Sequence, residues 1–83
     1  MKEKILETIR SYNDLRGNEA HVEFVTEKDD TVTVFFSGSM IDHDPDAHIT
    51  DFMYEYEELS NETLRIKSHT VKNDGYEVVF ERV

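Results

Sequence analysis

The sequence predicts an α+β fold: a two-layer αββαββ arrangement with a four-stranded antiparallel sheet and both helices on one face, a permuted relative of the ferredoxin-like sandwich. Three observations predict it. Apolar residues recur at helical spacing in two stretches, pairs of alternating runs follow each stretch around polar turns, and the second half slides onto the first by 44 positions without a gap. At that offset Ile5 meets Ile49, Tyr12 meets Tyr56, Leu15 meets Leu59, Thr26 meets Thr70, Lys28 meets Lys72, Asp30 meets Asp74, Val34 meets Val78 and Phe36 meets Phe80. The 83 residues therefore read as one domain made of two αββ units, about 2–38 and 46–83. Similar packing demands similar residues, so the likeness of the halves bears on architecture rather than ancestry.

In the first unit Ile5, Ile9, Tyr12 and Leu15, with Leu6 alongside, lie at helical spacing in a Lys/Glu/Arg background. They predict a helix from about Lys2 to Arg16, closed by Gly17-Asn18. Ala20, Val22 and Phe24 then alternate with polar residues, as do Val32, Val34 and Phe36, around the turn Glu27-Lys28-Asp29-Asp30. In the second unit Ile49, Phe52, Met53, Tyr56 and Leu59 mark a helix ending near Ser60-Asn61. Leu64 and Ile66, then Tyr76, Val78 and Phe80, form a hairpin around Asn73-Asp74-Gly75, a strong turn signal. The uncovered sheet face would hold Val25, Phe35, Val79 and Val83 among Thr33, His21, Arg65 and Lys67, with Phe35 and Val79 on the central strands. Strand-favouring residues can stand there without a partner. The sharper expectation is a homodimer joined through Val25, Phe35 and Val79.

The absence of cysteine excludes thiolate zinc, iron–sulfur ligation by thiolates, thiol catalysis and disulfides. The chain opens Met-Lys-Glu-Lys and has no long apolar run. Neither a signal peptide nor a membrane span is expected, and a cytoplasmic protein is the default.

Nineteen acids against nine Lys and Arg give a net charge of −10. Ten of those acids, Asp29, Asp30, Asp42, Asp44, Asp46, Asp51, Glu55, Glu57, Glu58 and Glu62, fall between Lys28 and Arg65, where histidine is the only basic residue type. Elsewhere acids and bases cancel, so the net charge belongs to the middle of the chain. Direct binding of nucleic-acid phosphates there would be repelled, and the natural partners are cations or a basic protein surface.

The middle begins with Ser-Gly-Ser-Met-Ile-Asp-His-Asp-Pro-Asp-Ala-His, residues 37–48. Asp42, His43, Asp44 and His48, with Asp46 nearby, have the chemistry of a divalent-cation site for manganese, zinc, iron or nickel. A calcium loop of the EF-hand kind would need glycine at 47 and glutamate at 53, where the chain has Ala47 and Met53. Helix initiation accounts for more of the residues. Asp44 caps the second helix, Pro45 takes its first position, and Asp46 and Asp51 complement the positive helix end. Further on, Tyr54, Glu55, Glu57 and Glu58 are expected on the solvent side of that helix, with no lysine to pair them.

The stretch from Ile9 to Met40, "IRSYNDLRGNEAHVEFVTEKDDTVTVFFSGSM", resembles the C-terminal domain of NifU-type iron–sulfur scaffold proteins. In that family a helix and a hairpin lead into a T-G-A-C-x-x-C loop and a second helix. Ile9-Arg10, Tyr12, Val22-Glu23, Val32, Val34 and Gly38 fall at or near family-like places, with two extra residues before the first strand. The resemblance covers about half the chain. Counting from Gly38, Met40 and His43 stand where the family has its two cysteines. The resemblance thus implies the fold and an interaction surface without the cluster, because neither side chain replaces a thiolate.

No enzyme emerges from the sequence. His21 and His69 are expected on the open sheet face, far from Ser37 and Ser39, which leaves no nucleophile and base together. The three glycines make no phosphate-cradling loop. The sequence reading is a non-catalytic binding or adaptor protein that presents Asp51, Tyr54, Glu55, Glu57 and Glu58 to a basic protein surface, in one version as a nucleic-acid mimic or inhibitor. The alternative is a divalent-metal protein using Asp42, His43, Asp44 and His48.

Overall fold

The structure, a computed structural model, describes residues 2–17, 20–38 and 45–83. Asn18, Met40, Asp42, His43 and Asp44, invoked above for the helix end, the family match, the metal loop and the cap, lie outside the described residues. The elements run α1 (Lys2–Arg16), β1 (His21–Lys28), β2 (Thr31–Ser37), α2 (Pro45–Ser60), β3 (Leu64–Lys72) and β4 (Gly75–Arg82). This is the α+β class expected, with one antiparallel four-stranded sheet in the order β1-β2-β4-β3. Phe35 on β2 and Val79 on β4 therefore lie on central strands.

The two units match down to their chain reversals. Gly17 and Asn61, equivalent residues, end the helices at φ of 58° and 59°, and their amides donate to Asn13 O at 3.0 Å and Glu57 O at 2.8 Å. A left-handed residue just past a helix satisfies an orphan carbonyl and turns the chain away. Asp29 and Asn73, also equivalent, have positive φ in the two hairpin turns. Between the units, β2 pairs with β4 so that Val34 faces Val78, Val32 faces Phe80 and Phe36 faces Tyr76. Val34 and Val78 are themselves equivalent, so a local pseudo-two-fold axis passes through that central pair.

One buried cluster holds all six elements together. Ile5 and Tyr12 from α1 and Ile49, Phe52 and Tyr56 from α2 meet Val22, Val32, Val34, Phe36, Leu64, Val78 and Phe80 from the sheet. Its centre is aromatic: Phe36 lies edge-on to Phe52 at 5.5 Å between centroids, and Phe52 stacks on Phe80 at 5.7 Å. Thr8, the one buried polar residue among those described, spends its hydroxyl on the Lys4 carbonyl at 2.7 Å.

Three expectations need correction. Leu15 and Leu59 were expected in the core and are 74% and 41% exposed; Leu6, also on the expected apolar stripe, is exposed as well. The buried stripe continues one turn after Tyr12 and Tyr56 to Arg16 and Ser60, which turns Leu15 and Leu59 outward. Arg16 lies over the Tyr12 ring at 3.9 Å, and Ser60 Oγ donates to Tyr56 O at 2.6 Å. Secondly, β1 runs through Glu27 and Lys28, which leaves Asp29 and Asp30 as the turn; a register shift between Phe24 and Thr26 makes Val25 the extra residue. Thirdly, a shift between Ile66 and Ser68 puts His69 opposite buried Val78, on the helix side of the sheet rather than the open side. Both irregularities fall on edge strands, where a bulge discourages pairing with another chain.

Candidate functional site

The fate of the acidic middle is decided by two arginines that reach into it. Arg16, laid flat on Tyr12, donates from Nη1 to Glu55 Oε1 at 2.7 Å and places Nη2 3.8 Å from Asp51 Oδ2. Glu55 therefore faces α1 rather than solvent, its side chain 18% exposed, and its Oε2 is buried without a hydrogen-bond partner among the described residues. Arg82 at the end of β4 reaches Glu62 Oε2 at 3.4 Å and Asp30 Oδ1 at 3.6 Å. The Tyr56 hydroxyl donates to Glu62 Oε1 at 2.6 Å. That hydrogen bond, reinforced by Arg82, holds the Glu62 carboxyl below its ordinary 4.5. Two guanidinium charges are thus set against four of the ten acids, which halves the charge of those four and leaves the anionic surface narrower than the sequence implies.

On α2 the acids without an ion-pair partner among the described residues are Asp46 in the first turn and Glu57 and Glu58 in the last. Asp46 suits its place, since the positive end of a helix dipole favours a carboxylate. Glu57 and Glu58 occupy the opposite pole, in a last turn with no basic residue. Beside them Tyr54 is 63% exposed. Tyr54, Glu57, Glu58 and Asn61 line an open depression of about 490 Å³. A second, of about 300 Å³, lies between the helices and is lined by Ser11, Leu15, Glu55, Glu58 and Leu59. A third, of about 350 Å³, shares Ser11 and Leu15 and extends along α1 past Asp14 to Glu7 and Arg10. Glu58 lines both the first and the second, and Ser11 and Leu15 line both the second and the third, so the three depressions follow one another as a furrow across the two helices.

In comparisons with known protein families, curated proteins and solved structures, nothing matches this chain.

The structure brings together Tyr54, Glu57 and Glu58 of the expected partner-binding set, while Asp51 and Glu55 sit beside Arg16 on the flank toward α1. Leu15 and Leu59 were missed as site residues because they had been counted as core. Their register with Arg16 and Ser60 was the available signal, since two adjacent positions of a helix cannot both face the sheet. On the open face Phe35 and Val79 are half-buried, and Val25, at its bulge, is 46% exposed. Of the expected metal ligands only His48 is described; its Nδ1 lies 3.2 Å from the Tyr12 hydroxyl. Among the described residues no group of three His, Asp or Glu side chains is placed to hold a metal. His21 does not stand far from Ser37, as the sequence reading had it: the two are direct partners across β1 and β2. The exposed His21 ring, however, lies beside Glu23, with 3.7 Å between Nε2 and Oε1, rather than on a serine hydroxyl. No helix among the described residues is long and apolar enough to cross a membrane.

Proposed function

We propose that this is a non-catalytic binding or adaptor protein of the cytoplasm whose α2 surface, centred on Tyr54, Glu57 and Glu58, engages a basic protein surface. The observation that carries the reading is the placement of Glu57 and Glu58. Two unpaired carboxylates at the negative pole of a helix disfavour that helix, and such charges contribute nothing to folding. A cationic partner would turn this local cost into attraction and would speed association by steering. Tyr54 supplies what a hot spot commonly uses, a large rigid ring with a polar tip. A partner site shaped for nucleic acid fits the same description, and the protein would then act as an inhibitor by charge mimicry.

The test uses stability and binding together. In the doubly substituted Glu57→Gln/Glu58→Gln protein, Tm should rise by about 2–4 °C, because the helix pole is relieved. Affinity for the partner isolated by pull-down should fall about three- to tenfold at low salt, and the difference should shrink as salt rises. Unchanged affinity at low salt would remove the reading.

A further inference from the structure

The proposed electrostatic contact leaves an apolar feature unexplained: Leu15 and Leu59, equivalent residues at the C-terminal ends of the two helices, are both exposed and line the same depression between the helices. Nothing in the packing of the described residues needs them there, since Arg16 and Ser60 hold the neighbouring sheet-side positions. Glu58 and Ser11 line that depression with the leucines, Asp14 lines the next one with Leu15, and Tyr54 and Glu57 line the depression on the other side of Glu58. We infer that this furrow is a docking groove for an amphipathic basic helix of a partner protein, its apolar side on Leu15 and Leu59 and its lysines or arginines toward Glu57, Glu58 and Asp14. The inference rests on the proposed function and names the form of the partner.

Geometry and charge each narrow the occupant. Two neighbouring helices present a groove between their side-chain ridges, a shape that accepts a third helix. Carboxylates dominate the rim; Arg10 is the cation of the furrow, at its far end along α1. A second copy of this chain would set Glu57, Glu58 and Asp14 against like charges on a molecule of net charge −10, so self-association through this face is opposed. A purely basic, unstructured segment would satisfy the rim and leave the leucines in water.

The experiment compares two synthetic Leu/Lys peptides of identical composition. One carries its leucines at i, i+3, i+4 and i+7, and the other has them scattered around the helix. The full chain should bind the amphipathic peptide about tenfold more tightly at physiological salt, as expected for burying apolar side chains. Leu15→Ser with Leu59→Ser should abolish that preference with the circular dichroism spectrum unchanged, and Leu15→Ala alone should reduce it. Glu57→Gln with Glu58→Gln should weaken both peptides alike. Equal binding of the two peptides by the unaltered chain, with loss on the glutamine changes, overturns the groove while leaving the electrostatic contact standing. Binding of neither peptide overturns both. A change of oligomeric state in the leucine variants would assign the groove to a second copy and overturn the proposal.

Discussion

Tyr12 and Tyr56 occupy matching places on the two helices and both are fully buried, yet different partners hold their hydroxyls. Tyr12 lies 3.2 Å from His48 Nδ1, whereas Tyr56 donates to Glu62. In both cases burial is the main cause that pushes the phenol up from 10 to about 12. The folded protein thus keeps protons that the unfolded chain gives up. The stability they contribute is complete below pH 10 and drains away as pH rises through about 12. In an alkaline titration Tyr12 and Tyr56 should form phenolate late and together with loss of helix signal; ionisation of either near 10 with the helix signal intact would contradict this. Gly75 is a second residue with a specific demand. It opens β4 opposite Ser37, and a Cβ there would overlap the Phe36 carbonyl oxygen and press on the Phe35 ring at 3.0 Å. Gly75→Ala should therefore cost about 1–3 kcal/mol in urea denaturation, the usual range for forced overpacking.

At the scale of elements, the contact between α1 and α2 is partly polar and depends on Arg16. Its guanidinium stacks on Tyr12 and donates to Glu55, whose other oxygen has no hydrogen-bond partner among the described residues. Arg16→Ala leaves a half-buried carboxylate unpaired and should cost about 1.5–3 kcal/mol. Arg16→Lys should recover less than half, since an ammonium cannot both stack and fork; full recovery in denaturation would contradict the stacked geometry. None of this was legible in the sequence, which shows Arg16 and Glu55 only as charges 39 positions apart. The element ends were legible, because Gly17, Pro45 and Asn61 are residues with strong local preferences. The bulges were not: Val25 and Lys67 look like ordinary strand residues, and only the pairing register reveals them. The consequence was a misplaced His69, since one extra residue reverses every later side chain.

At the scale of the molecule, the internal likeness of the sequence reappears as paired caps, paired turns and a central strand pair that meets at equivalent residues, Val34 and Val78. The charge departs from that symmetry. The equivalents of Glu57 and Glu58 are Asn13 and Asp14, and Asn13 is used structurally, its side chain donating to Val22 O and accepting from Val22 N at 3.0 and 2.8 Å. The end of α1 is thus tied to the sheet through Asn13 and exposes one carboxylate, Asp14, while the end of α2 exposes two, Glu57 and Glu58. Segregation of charge was visible in the sequence; its narrowing by Arg16 and Arg82 required the fold. Because the furrow and the open sheet face lie on opposite sides of the sheet, one measurement separates them: amide chemical-shift mapping of the full chain titrated with the amphipathic basic peptide. Shifts should concentrate at Leu15, Tyr54, Glu57, Glu58, Leu59 and Asn61. Shifts centred instead on Phe35 and Val79, with those helix residues unmoved, would contradict the assignment of the helix surface as the binding site.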